Sequence, residues 1–114
     1  MDLQAVLEHL ENAGTAQNRK IYRRHGAGEN LYGVSFADLG ALAKQIKKDQ
    51  TLAEALWRTG NHDARMLATM IADPKTISTD TLRGWAGDLD NYVLTDALSS
   101  LAAAAPFAME LMRA

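Results

Sequence analysis

The sequence predicts an all-α fold, a right-handed stack of antiparallel helical hairpins, and three observations predict it. Apolar residues recur with helical spacing from one end to the other. No segment alternates apolar and polar residues with the period of a strand. Two stretches, 51–72 and 79–103, repeat one helical-pair layout. In each, a short helix ends near a Trp (Trp57, Trp85), a tight turn follows, and a second helix carries four apolar residues. Repetition of such a pair favours a solenoid of the HEAT kind over a bundle, because each pair buries its stripe against its neighbours.

The elements follow in order. Leu3, Val6, Leu7 and Leu10 fall at i, i+3, i+4 and i+7, the stripe of an amphipathic helix. Leu39, Leu42, Ala43 and Ile46 repeat it, as do Ala64, Leu67, Ala68 and Ile71, and then Leu94, Ala97, Leu98 and Leu101. Ser35, with Asp38 three residues later, reads as the N-terminal cap of a helix from Phe36. Gly26 and Gly60 are placed to end helices, Pro74 stops one, and Pro106 opens another. About eight helices result, over 2–12, 15–25, 36–48, 51–59, 61–73, 79–88, 91–104 and 106–114. The last stands as half a repeat: Phe107, Met109, Leu111 and Met112 give it no polar outer face. The expectation is one helical-repeat domain over 1–114, the N-terminal half of a longer protein, with residues 106–114 open to self-association or a protein partner.

Composition narrows the function classes. With 47% hydrophobic and 23% charged residues over 114 positions, the chain suits one modest core. The absence of Cys excludes disulfides, a thiolate nucleophile and sulfur-ligated zinc. His9, His25 and His62 are scattered and form no HExxH pattern, so neither metal nor cofactor is expected. Acids interrupt the apolar N-terminus, and no apolar run approaches the roughly 20 residues of a membrane span, so a cytoplasmic protein is expected. The net charge of −2 argues mildly against a nucleic-acid partner. A local patch opposes that total, since Arg19, Lys20, Arg23 and Arg24 place four of the twelve cations in six residues.

Those four share one face of a helix, with Ile21 expected to turn toward the core. Such a face can hold phosphates in a salt-dependent way, and its alternative is a solvated surface. Lys44, Lys47 and Lys48 read more simply as solvated. Aligning the two repeats puts His62 and Met66 at the places of Tyr92 and Asp96, with Arg65 beside them, able to reach a phosphate or to pair with Asp63 or Asp73. Trp57 and Trp85 read as core anchors between repeats. Tyr92 and Asp96 project one turn apart, opposite the apolar quartet of their helix, so that both can touch one ligand. Their alternative is again an ordinary solvated face.

The stretches YGVSFADLGALAKQI (32–46), LAEALWRTGNHDARMLATMIADP (52–74) and DLDNYVLTDAL (88–98) resemble the DNA alkylation repair family of HEAT-like alkylpurine DNA glycosylases. The likeness runs from about Tyr22 to Met112. It implies hydrolysis of the N-glycosidic bond of cationic alkylated purines in duplex DNA cradled on a basic concave face. Family members are about twice this length. Their catalytic carboxylate follows an aromatic by four residues in a W-D-x-x-D-like pattern, which the resemblance maps onto Asp96 and Tyr92. Here Tyr stands where Trp is usual and Val93 where an acid is common. A carboxylate suits the oxocarbenium-like charge that develops on the sugar. An aromatic face attracts a cationic base by roughly 0.5–2 kcal/mol.

Two functions of different class follow. One is a DNA-binding member of this family, with double-stranded, alkylated DNA as partner, Asp96 as catalytic candidate, Tyr92 contacting the base, and Arg19, Lys20, Arg23, Arg24 and Arg65 on phosphates. This chain alone is then expected to show little glycosylase activity. The other is a helical-repeat module that binds protein and not DNA.

Overall fold

The computed structural model describes residues 2–24, 26, 30–88, 95, 98, 99 and 101. Among them are six helices: α1 (Leu3–Ala13), α2 (Ala16–Arg24), α3 (Phe36–Ile46), α4 (Gln50–Arg58), α5 (His62–Ile71) and α6 (Thr79–Gly87). All six lie within two residues of their expected bounds. Of the two further helices expected, only Thr95, Leu98, Ser99 and Leu101 are described, each of them helical, and 106–114 lies outside the described residues.

Short polar side chains start the helices. Asp2, Ser35, Asp49, Asn61 and Ser78 each accept a hydrogen bond from the backbone N–H three residues on. Thr15 does the same for Asn18 ahead of α2. Each such cap satisfies an N–H the helix cannot, and contributes about 1 kcal/mol. Gly26 (φ 86°) and Gly60 (φ 74°) end α2 and α4 in the left-handed region, as glycine allows most readily. α3 stops at Ile46, short of the expected 48. Lys47 turns left-handed (φ 67°) with its N–H on the Ala43 carbonyl, and Asp49 donates to the Ile71 carbonyl before capping α4.

The core runs through Val6 and Leu10 of α1, Leu39 and Leu42 of α3, Leu56 and Trp57 of α4, Leu67 and Ile71 of α5, and Leu82 and Trp85 of α6. Leu98 and Leu101 belong to it, while Thr95 and Ser99 are exposed, as the expected stripe of that segment requires. α5 is the central element. It packs on α4, α3 and α1, and eight of its ten residues are buried. A helix enclosed on nearly all sides has no free face to offer a ligand. His62 and Met66, which the repeat alignment sets at the places of Tyr92 and Asp96, are accordingly 3% exposed each and offer no ligand surface. No helix among the described residues is long and apolar enough to cross a membrane.

Candidate nucleic-acid interface

α2 carries the basic stripe, and it is held in an unusual way: none of its nine residues is buried. An amphipathic helix normally docks through an apolar stripe. Here the docking contacts are polar. The Tyr22 hydroxyl donates to the Val34 carbonyl at 2.6 Å, and Arg19 Nη1 donates to the Tyr32 carbonyl at 3.1 Å. The Thr15 N–H, just ahead of the helix, donates to the Gly33 carbonyl at 3.0 Å. The Tyr22 ring also lies 5.2 Å from the buried ring of His62, tilted by 49°.

This arrangement corrects the expectation for Ile21, which is 38% exposed. At 100° per residue, Ile21 lies 100° from Tyr22 and about 160° from Arg19. Because Tyr22 and Arg19 face the protein, Ile21 faces away. Lys20, Arg23 and Arg24 are exposed, and Arg19, at the edge of the stripe, is half-buried.

The partner of α2 is the irregular segment 30–35, which is itself fixed by one side chain. Asp63, in the first turn of α5, is fully buried. Its Oδ2 accepts from the N–H groups of Tyr32 (2.6 Å) and Gly33 (3.0 Å), and its Oδ1 from that of Val34 (2.8 Å). A buried carboxylate is tolerable when several N–H dipoles converge on it. The His62 N–H adds a bond to the Asn30 carbonyl at 2.9 Å, and Asn61 Nδ2 donates to Asn30 Oδ1 at 3.1 Å. Gly33 has φ +80°, and a Cβ there would lie 2.6 Å from the Thr15 carbonyl oxygen and 2.7 Å from the Arg19 nitrogen. Only glycine lets α2 approach this closely. Burial, with the Asp63 carboxylate second, raises the Tyr22 phenol above its ordinary value of 10.0. Tyr32 is raised likewise by burial, then by Glu11 and Asp63.

Arg65 belongs to a different cluster. Its Nε donates to the Trp57 carbonyl (3.2 Å), its Nη1 to the Asp88 carbonyl (3.3 Å), and its Nη2 lies 3.9 Å from Asp88 Oδ2. The guanidinium sits 4.9 Å from the centroid of the Trp57 ring. The expected pairing with Asp63 or Asp73 is therefore replaced by Asp88. Asp63 is occupied by the loop amides, and Asp73 accepts from the Lys75 N–H. Trp57 Nε1 donates to Asp88 Oδ2 at 2.9 Å, and the Trp57 and Trp85 rings stack at 4.5 Å and 6°. The two repeat-related tryptophans thus meet each other, both buried. Tyr92 and Asp96 lie outside the described residues. Sequence reading missed Asp63 and Asp88. The signal for Asp63 was present, as an acid one helical turn before Leu67 on an apolar stripe.

Known proteins resemble this chain in sequence and in fold. The profile of the DNA alkylation repair enzyme family matches residues 6–111. An uncharacterized protein of Listeria monocytogenes is 32% identical over 87 residues, covering 73% of this chain and 38% of the relative. An uncharacterized Listeria innocua protein is 31% identical over an equal share. A solved structure, from a family described as related to the HEAT-like repeat DNA glycosylases with affinity for branched DNA structures, superposes with a TM-score of 0.92. It is 36% identical, and the match covers 96% of this chain and 47% of that one. The chain spans less than half the length of each of these relatives. With the profile matching nearly its whole length and the HEAT-like stack present, this chain belongs to the DNA alkylation repair enzyme family.

Proposed function

We propose that the chain is a DNA-binding element of its family, taking duplex and branched DNA against the exposed face of α2. One observation carries this reading. α2 buries no residue, yet it is docked through Tyr22, Arg19 and a glycine that nothing larger could replace. A helix that adds so little to the core is held for what it presents, and it presents Lys20, Arg23 and Arg24. The affinity for branched DNA described for the family of the solved relative supports the choice of partner. Arg19 sits at the edge of the contact. Arg65, with its donors engaged by Trp57 and Asp88, is left within the repeat. Asp96 is proposed as the carboxylate facing the sugar of a damaged nucleotide and Tyr92 as the aromatic beside it.

The test is fluorescence anisotropy with a linear duplex and a four-way junction, at low and at physiological salt. Each phosphate neutralised adds about 0.9 to the slope of log affinity against log salt. Changing Lys20, Arg23 and Arg24 to Gln should therefore flatten that slope by roughly 2–3 and weaken low-salt binding at least about tenfold. Absence of binding by the native chain at low salt would discard the reading in favour of a protein-binding module. Unchanged binding by the triple variant would reduce Arg23 and Arg24 to complements of the helix dipole.

A further inference from the structure

We infer that Phe36 is a base-stacking element that makes this face prefer a DNA branch point to continuous duplex, an inference that rests on the DNA-binding reading above. Among the described residues, Phe36 (54% exposed) and Ile21 (38%) are the exposed large hydrophobic side chains, whereas Trp57 and Trp85 are buried. Both exposed residues flank the same docked segment. Ile21 precedes Tyr22, whose hydroxyl bonds the Val34 carbonyl, and Phe36 follows Val34 by two residues. Two residues of chain span at most about 7 Å, so the Phe36 backbone lies within that reach of Val34, the residue whose carbonyl Tyr22 of the basic helix holds.

Its backbone is also held. The amides of residues 32–34 converge on Asp63, the Ser35 hydroxyl caps α3, and Phe36 is the first residue of that helix. An aromatic ring mounted on a fixed backbone loses little freedom when it stacks on a base. Asp38, exposed and 200° further round α3, puts its negative charge on the other side of that helix from Phe36.

The discrimination follows from what each group can touch. Phosphates line every form of DNA, so Lys20, Arg23 and Arg24 attract duplex and junction alike. A free base face is different. Within continuous duplex each base pair is covered on both sides, whereas at a branch point stacks end and a ring can cover the terminal step. Phe36 therefore contributes only where stacking is interrupted.

The experiment compares native chain, Phe36→Ala and Phe36→Trp on a linear duplex and a four-way junction of equal length. 2-Aminopurine placed at the junction's branch point reports stacking directly. Phe36→Ala should lower junction affinity about tenfold and duplex affinity less than about twofold, at the lower end of what one aromatic–base stack contributes. Phe36→Trp should keep the preference, and only the native chain and Phe36→Trp should perturb 2-aminopurine fluorescence. Circular dichroism confirms that each variant is folded. Loss of affinity in Phe36→Ala that is absent, or equal on both DNAs, overturns the stacking role and leaves the DNA-binding reading standing. Failure of the native chain to bind either DNA at low salt overturns both.

Discussion

The two ends of the described chain are held together by different chemistry. Around Thr15–Val34 the contacts are polar: a phenol, a guanidinium and three amides meet two carbonyls and one buried carboxylate. From Gln50 to Asp88 the contacts are mainly apolar, with stacked tryptophans at the seam between repeats and a cation capping one of them. The apolar seam is tolerant, because packing energy is spread over many small contacts. The polar junction is not, because every buried donor in it depends on a particular acceptor. The difference fits the role proposed for α2. A repeat stack needs only to stay together, whereas a helix that presents charge must keep one orientation.

Asp63→Ala should separate the two regions most sharply. It leaves the N–H groups of Tyr32, Gly33 and Val34 without their acceptor. At about 1–3 kcal/mol for each of three unsatisfied donors, the loss is about 3 kcal/mol or more. Hydrogen exchange should show amides 32–34 and α2 losing protection while α4 and α5 retain theirs. An even loss of protection along the whole chain would mean that the junction and the stack are one cooperative unit. Asp63→Asn should fall between native and Ala, since an amide keeps only one of the two accepting oxygens.

Trp57→Ala attacks the other region. It removes the stack on Trp85, the donor to Asp88 and the ring beneath Arg65, for about 3–4 kcal/mol. Denaturant titration would give the magnitude, and hydrogen exchange the location. α6 should lose protection, and amides 32–34 should keep it. If those amides also opened, Asp63 would be positioned by the tryptophan seam and not by α5 alone.

The apolar region was nearly all legible in the sequence, and the polar junction was not. Stripes such as Ala64, Leu67, Ala68 and Ile71 carry a period that local reading detects, and caps such as Ser35 sit three residues from their partners. That is why the helices and the role of the tryptophans could be read. The contacts that orient α2 join residues far apart in the chain, such as Tyr22 with Val34 and Gly33 with Asp63. No periodicity encodes them. Reading Ile21 as inward assumed that apolar means buried, whereas on the helical wheel it lies about 60° from Arg24 and 100° from Lys20, on the exposed side with them. Tyr22 and Arg19, each able to reach a backbone carbonyl, decided the orientation instead. Arg65 was misjudged for a related reason: Asp63 and Asp73 are near in sequence, but Asp88 is the acid that α6 delivers. The roles proposed for Tyr92 and Asp96 rest on the family resemblance, since both lie outside the described residues.

The smallest expected effect is on the alkaline side, and it tests whether Tyr22 docks α2 as a neutral phenol. Burial and the nearby Asp63 carboxylate raise its pKa above 10.0 in the fold, so the folded chain holds the proton more tightly than the unfolded one. Stability from this source is therefore fully present below about pH 10 and falls as pH rises through the folded value. The phenol is only partly buried, so solvent keeps the effect modest. Urea midpoints measured at pH 8, 9, 10 and 11 would show it against Tyr22→Phe. The variant should be less stable near neutrality by about 1 kcal/mol, having lost the bond to Val34. It should also lose less stability than the native chain between pH 9 and 11, with Tyr32 supplying the remaining slope. Parallel curves for the two chains would place Tyr22 outside the coupling and leave Arg19 and the Gly33 contact to hold the helix.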